Sequence, residues 1–244
     1  MTGPAEPAAS RGGRRGLSDV TGPAGRGIDP VEAFATEVGP PEAGSVVMVG
    51  GGTQWHVGGV LDDGARQVQA PAGIVQRAPA DLTVRVRAGT TVADVDRALA
   101  EVGQCVALPA WPGATVGGVL AVGRSGIRRL GWGPVRDTAL QPRAVTADGR
   151  VVKAGGPTVK NVSGFDLCRL FVGSMGTLAF FAEVVLRTRP RPAAERWLAG
   201  ESDPFAVARD LYRPAAVLWD GHLTWVLLDG HPIDVDAQTK AAAA

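Results

Sequence analysis

Apolar positions along the chain follow two rhythms, and most of the elements are predicted by one or the other. Thr91–Val102 carries Val92, Val95, Leu99 and Val102 at helical spacing, which predicts an amphipathic helix stopping at Gly103. Leu82–Arg87 alternates apolar and charged residues, the period of a half-buried strand. Val46–Val49 is a brief apolar strand that runs straight into Gly50, Gly51, Gly52 and Thr53. Asp29 before Pro30 marks a first helix, with Asp as its cap and Pro in its first turn. Ala139–Thr146 and Arg150–Lys153 flank Asp148-Gly149, a hairpin signal. Asp166–Phe171 reads as a helix ending at Gly173, and Phe180–Thr188 as a strand.

After Arg189-Pro190-Arg191-Pro192 the pattern changes, and a domain boundary is expected there. Trp197–Ala199 reads as a strand and Pro204–Leu211 as a helix. Ala216–Trp219 and Leu223–Leu228 are strands joined by Asp220-Gly221, with a last helix over Asp236–Ala243. That β-α-β-β-α order is most of a small antiparallel sheet with helices on one side, one strand short of complete. Met1–Gly27, rich in Gly, Ala, Pro and Arg without apolar periodicity, is predicted to be disordered. The expected units are therefore 1–27, 28–192 and 193–244.

Composition narrows the classes. With 244 residues, 45% hydrophobic, the chain can bury a full core, and a net charge of +1 without a basic stripe argues against nucleic acid as a partner. No apolar run is long enough to span a membrane. Arg14-Arg15 has no apolar stretch behind it, so an export signal is not expected, and a cytoplasmic protein is. Cys105 and Cys168 lie far apart with no metal-ligand spacing, and read as buried free thiols; no metal site is expected.

The 34 glycines concentrate the candidate chemistry. In Pro109–Ala121, Pro112-Gly113-Ala114 ends an extended segment, Thr115 is placed to cap a helix, and Gly117-Gly118 open an apolar run. N–H groups left open at that helix start would donate to a phosphate, and glycine would let it come close. Taken alone, the stretch is more simply a buried turn. Gly50–Thr53 and Gly173–Thr177 are loops of the same kind, and together the three suggest a diphosphate held largely by backbone. Neither G-x-G-x-x-G nor G-x-x-x-x-G-K-[ST] occurs, no serine elbow is present, and His56, His222 and His231 have no triad or metal spacing.

These motifs resemble the FAD-binding domain of the vanillyl-alcohol oxidase and p-cresol methylhydroxylase type. Gly50-Gly51-Gly52-Thr53 is similar to its pyrophosphate loop and Val86-Arg87-Ala88-Gly89-Thr90 to its V-x-A-G turn. Pro112–Gly118 is similar to its P-G-x-T-x-G-G flavin loop, and Gly173–Leu178 to its G-S-x-G-T-L loop, with Glu183 following. Four motifs in order over Val46–Pro190 make the resemblance specific. Arg128-Arg129, Gly133–Asp137 and Val159–Asp166 resemble runs of the FAD-binding subunit of glycolate oxidase.

The resemblance implies an α+β fold: a two-lobed FAD-binding domain followed by a ferredoxin-like cap, here truncated. It implies FAD contacts at Gly50, Gly51, Gly52, Thr53, Pro112, Gly113, Ala114, Thr115, Gly117, Gly118, Ser125, Gly173, Gly176, Thr177 and Phe181. It also implies cytoplasmic oxidation of a small 2-hydroxy acid beside a second flavoprotein subunit and an iron–sulfur subunit. Two alternatives stay open: a noncatalytic FAD-binding or assembly subunit, and a stand-alone oxidase. No catalytic residue is assigned.

The sequence departs from the family pattern in places. Val49 stands where many members carry Arg, and Ala179 where Gly is usual; Thr53 falls near the place of the histidine that bonds flavin in some members, so noncovalent FAD is implied. Among the remaining candidates, Lys160 could sit near the flavin ring or in solvent. Arg128, Arg129 and Arg136 could meet a substrate carboxylate or a partner, and Trp111 and Trp132 could flank the flavin or belong to the core.

Overall fold

A computed structural model describes residues 28–156 and 166–242. The expected N-terminal arm, and Lys160 with most of the Val159–Asp166 run, lie outside the described residues. Helix α1 (Pro30–Val38) begins as its sequence predicts, with the Asp29 carboxylate accepting from the Val31 N–H. Strands β1 (Val46–Met48) and β2 (Arg66–Val68) pair in parallel as a small sheet of their own. Between them and the larger sheet, Val31, Phe34, Val38, Val68, Val145 and Ala182 form one core.

The larger sheet is antiparallel throughout. Its strands are β3 (Ile74–Ala78) and β4 (Thr83–Arg87), then, after α2 (Val92–Ala100), β5 (Gln104–Val106). Helices α3 (Val116–Val122) and α4 (Arg129–Trp132) lead to the hairpin of β6 (Ala139–Val145) and β7 (Val151–Lys153). Helix α5 (Leu167–Phe171) and the long β8 (Phe180–Pro190) complete it. The order is β3-β4-β8-β6-β7, with β5 added to the far end of β8. Strand β8 is central and buries Phe181 through Leu186, because helices and strands cover it on both sides.

Val92, Val95 and Leu99 of α2 enter the main core with Leu120, Phe181 and Leu186. Val102 does not: α2 ends at Ala100, two residues short of the predicted end, and Val102 turns outward at 39% exposure. The three short strands β2, β3 and β5 and helix α4 are additions to what the hydrophobic pattern predicts.

Beyond β8 come β9 (Ala194–Gly200), α6 (Pro204–Asp210), β10 (Ala216–Trp219), β11 (Thr224–Gly230) and α7 (Pro232–Ala242). They run in the predicted order, and the sheet is three-stranded, β10-β11-β9. Leu211, Val226, Leu228 and Val235 are its core. Helix α7 starts four residues earlier than predicted, at Pro232.

Arg128 joins this segment to the rest. Its guanidinium bonds Asp229 at 2.6 Å and Glu195 at 3.0 Å, and the Trp132 indole N–H also donates to Asp229, at 2.9 Å. Arg128 and Arg189 both stack on the Trp132 ring. Burial disfavours the Arg128 charge, but Glu195 and Asp229 outweigh it and raise its pKa. Arg128, a candidate for a substrate carboxylate, is thus committed to two carboxylates of its own chain. Trp132 is a structural ring between two cations, outside the cavity described next. No helix among the described residues is long and apolar enough to cross a membrane.

Candidate functional site

A cavity of about 370 Å³ opens between β1, the loop that follows it, α3 and the start of β8. Strand β1 aims the chain at it. The Val49 N–H makes the last bond to β2, at the Val68 carbonyl, 2.9 Å. After that the backbone leaves the sheet, and the N–H groups of Gly50, Gly51, Gly52 and Thr53 meet no acceptor among the described residues. Successive unpartnered N–H groups in a turn form a concave anion site. Gly52 has φ +68°, and nothing lies within 4 Å of where a Cβ would stand. Gly51 is different: its Cβ would sit 1.7 Å from the Gly113 carbonyl oxygen. Only glycine lets these two loops touch.

The second loop does not match the expectation of open N–H groups at a helix start. Thr115 does cap α3, accepting from the Gly118 N–H at 3.2 Å. The Val116 N–H donates to the Thr90 carbonyl at 2.9 Å and the Gly117 N–H to the Ala88 carbonyl at 2.8 Å. All three N–H groups are therefore occupied by protein. The cause is tertiary: α3 starts pressed against the Ala88-Gly89-Thr90 turn. A Cβ on Gly117 would stand 2.8 Å from the Ala88 Cβ, and one on Gly89 2.2 Å from the Ala70 carbonyl oxygen.

The third loop is tied to the other end of α3. Gly173 donates to the Leu120 carbonyl at 3.0 Å and Met175 to the Ala121 carbonyl at 2.8 Å, which answers carbonyls that the helix end leaves open. Met175 is left-handed, with φ 52°.

Gly50, Gly51, Gly52 and Thr53 line the cavity, as do Thr115, Gly117 and Gly118 from α3 and Gly176, Thr177 and Phe181 from the third loop and β8. Five other predicted residues lie outside the lining. Pro112 is exposed; Gly113 sits behind Gly51; Ala114 is buried in the core and takes the Val92 N–H on its carbonyl. Ser125 accepts from the Val135 N–H at 3.1 Å, and Gly173 serves the α3 end.

Sequence reasoning missed part of the wall: Val46–Met48, Gln54, Ala121 and Phe180. Each adjoins a predicted glycine loop, and that adjacency was the only signal. Trp111 is not in the lining; it packs on the main core beneath Arg124. Arg129 is exposed, and Arg136 lies 4.0 Å from Asp137.

Among the described residues the lining holds no charged side chain and no His, Cys or Tyr. Its polar groups are the loop N–H groups, the hydroxyls of Thr53, Thr115 and Thr177, the Gln54 amide and the Trp55 indole N–H. The walls are aliphatic and aromatic. His56 sits one turn on, in the Trp55–Val57 turn, and does not line the cavity. Cys105 and Cys168 are buried free thiols, and burial pushes the pKa of both upward. This arrangement fits a dinucleotide: open N–H groups for a diphosphate, apolar walls for rings and, among the described residues, no His, Cys or Tyr in the lining to bond a flavin covalently.

Comparison with known proteins agrees. Residues 42–155 match the family model described as FAD binding domain. Glycolate oxidase subunit GlcE of Escherichia coli is 36% identical over 64% of this chain and 45% of its own length. A D-lactate dehydrogenase of Archaeoglobus fulgidus is 36% identical over 67% of this chain and 37% of its own. The chain thus spans less than half the length of either relative. A solved structure of alkyldihydroxyacetonephosphate synthase aligns with 86% of this chain and 49% of its own at a TM-score of 0.66 and 16% identity, a likeness of fold.

Proposed function

We propose that this chain, which carries an FAD-binding domain over residues 42–155, is the FAD-holding subunit of an enzyme that oxidises a small 2-hydroxy acid. The observation that carries the reading is the Gly50–Thr53 loop, whose four N–H groups have no acceptor among the described residues and which lines a cavity, walled by β1, α3 and β8, with no charged side chain among those residues. Relatives of the glycolate oxidase and D-lactate dehydrogenase kinds supply the substrate class.

In this reading Gly50, Gly51, Gly52 and Thr53 hold the FAD diphosphate through backbone N–H groups. Thr115, Gly117 and Gly118 form the wall at the start of α3, while Gly176, Thr177 and Phe181 close the far wall. Bound FAD supplies the two-electron acceptor; the chain supplies position, exclusion of water and a fixed field of dipoles. Thr53 stands where a flavin-bonding histidine would be needed, so the FAD is held noncovalently. The complex works in the cytoplasm, with a second flavoprotein subunit and an iron–sulfur subunit receiving the electrons. The domains run as 28–192 for FAD and 193–244 for a partial cap.

A second reading, a noncatalytic FAD-holding subunit whose substrate groups come from a sister chain, is favoured by the lining itself. Its described part contains no titratable group to take the substrate's proton. One preparation distinguishes the two. The native chain, purified with whatever accompanies it, should release yellow FAD into the supernatant on acid denaturation. Anaerobic glycolate or D-lactate should bleach the flavin of the complex. Bleaching of the isolated chain at the same rate would remove the second reading; absence of flavin from every preparation would remove both.

A further inference from the structure

The cavity has a loop of open N–H groups but no cation in its described lining, and Arg124 stands two residues beyond that lining in the chain. Arg124 follows the end of α3, whose Ala121 and Val122 line the cavity. Its guanidinium lies over the Trp111 ring, 5.5 Å from the centroid. One of its nitrogens reaches the Gln54 Oε1 at 3.4 Å, and Gln54 in turn donates to the Thr53 carbonyl at 3.1 Å. Arg124 therefore touches Gln54, the residue that follows the loop of open N–H groups. Among the described residues no carboxylate lies within ion-pair distance of Arg124, whereas Arg128, four residues on, has two. An arginine stacked on an indole, bonded to a neutral amide and lacking a carboxylate keeps its full charge for an anion.

We infer that Arg124 is a positioning residue for the diphosphate of the bound cofactor, an inference that rests on the FAD reading above. It acts in two ways. Its charge offsets the diphosphate, whose charge the loop N–H dipoles meet only in part, and its bond to Gln54 fixes the end of the loop. Trp111 holds the guanidinium in place from beneath.

The test uses the full chain stripped of flavin and measures binding of FAD and of riboflavin, which lacks phosphate, by fluorescence quenching. Wild type, Arg124→Met and Arg124→Lys are compared at low and high salt. Arg124 is exposed, and far-UV circular dichroism of each variant confirms that it folds.

Arg124→Met should weaken FAD binding about tenfold at low salt, as expected for one charge-assisted contact at a surface, and leave riboflavin binding unchanged. Its FAD affinity should also fall less steeply with salt than that of wild type. Arg124→Lys should recover part of the loss. Wild-type affinity for FAD in Arg124→Met, or an equal loss for riboflavin, overturns the inference while leaving the flavin reading intact. Failure of wild type to bind FAD at all overturns the flavin reading and this one with it.

Discussion

Two glycine loops meet where Gly51 lies against Gly113, and they use glycine for opposite ends. In Gly50–Thr53 the backbone N–H groups have no acceptor among the described residues, and the loop lines a cavity. In Thr115–Gly118 every N–H from Val116 to Gly118 is held by Thr90, Ala88 or Thr115, and Gly117 serves close packing against Ala88. Similar composition therefore hides different work. One loop is built toward a ligand, and the other is built toward the first loop and the β4 turn.

The largest effect that would break this comparison is at the contact itself. Gly51→Ala puts a methyl 1.7 Å from the Gly113 carbonyl oxygen, a backbone atom that cannot swing aside. The two loops must part, with a loss of about 3 kcal/mol, the upper end of ordinary overpacking. Urea denaturation should show it, together with an empty flavin site.

Gly117→Ala should come next, at about 2 kcal/mol, since the new methyl meets the Ala88 side chain at 2.8 Å and only a modest shift of α3 relieves it. Here flavin content should fall in step with stability. Gly52→Ala sharpens the contrast. It has room for a methyl but a left-handed φ, so stability should fall by about 1 kcal/mol. Flavin affinity should fall by more than that, because the methyl stands on the open side of the loop. Isothermal titration of the stripped protein with FAD, set beside its unfolding curve, separates the two losses. Equal losses would make Gly52 a structural turn like Gly117.

Smallest is Thr115→Ala, which removes the cap of α3 for about 1 kcal/mol and leaves the Gly118 N–H without its acceptor. A thermal melt should register the loss while FAD affinity holds.

Local signals explain why so much of the frame was legible. Asp29 and Thr115 cap the helices that the sequence assigns to them, and Thr91 and Asp166, the first residues of two predicted helices, are their caps. Asp148-Gly149 turns the β6–β7 hairpin. What was not legible depends on partners far along the chain. Gln104-Cys105-Val106 becomes a strand because β8 extends to Pro190 and offers an edge. Arg128 meets Asp229 across 101 residues, so its pairing could not be seen from its neighbours. The same limit applied in the site. The glycines of all three loops were visible, yet which N–H groups remain open is decided by where Ala88, Thr90 and Leu120 come to rest.

Amide hydrogen exchange, resolved by residue in the 15N-labelled protein with and without FAD, tests the central claim directly. The account predicts that the Gly50, Gly51, Gly52 and Thr53 amides exchange fast in the stripped protein and become protected when FAD binds. Gly117 should be slow in both states, because its N–H already belongs to Ala88. Unchanged exchange across Gly50–Thr53, with new protection confined to Gly117 and Gly118, would contradict it and return the diphosphate to the start of α3.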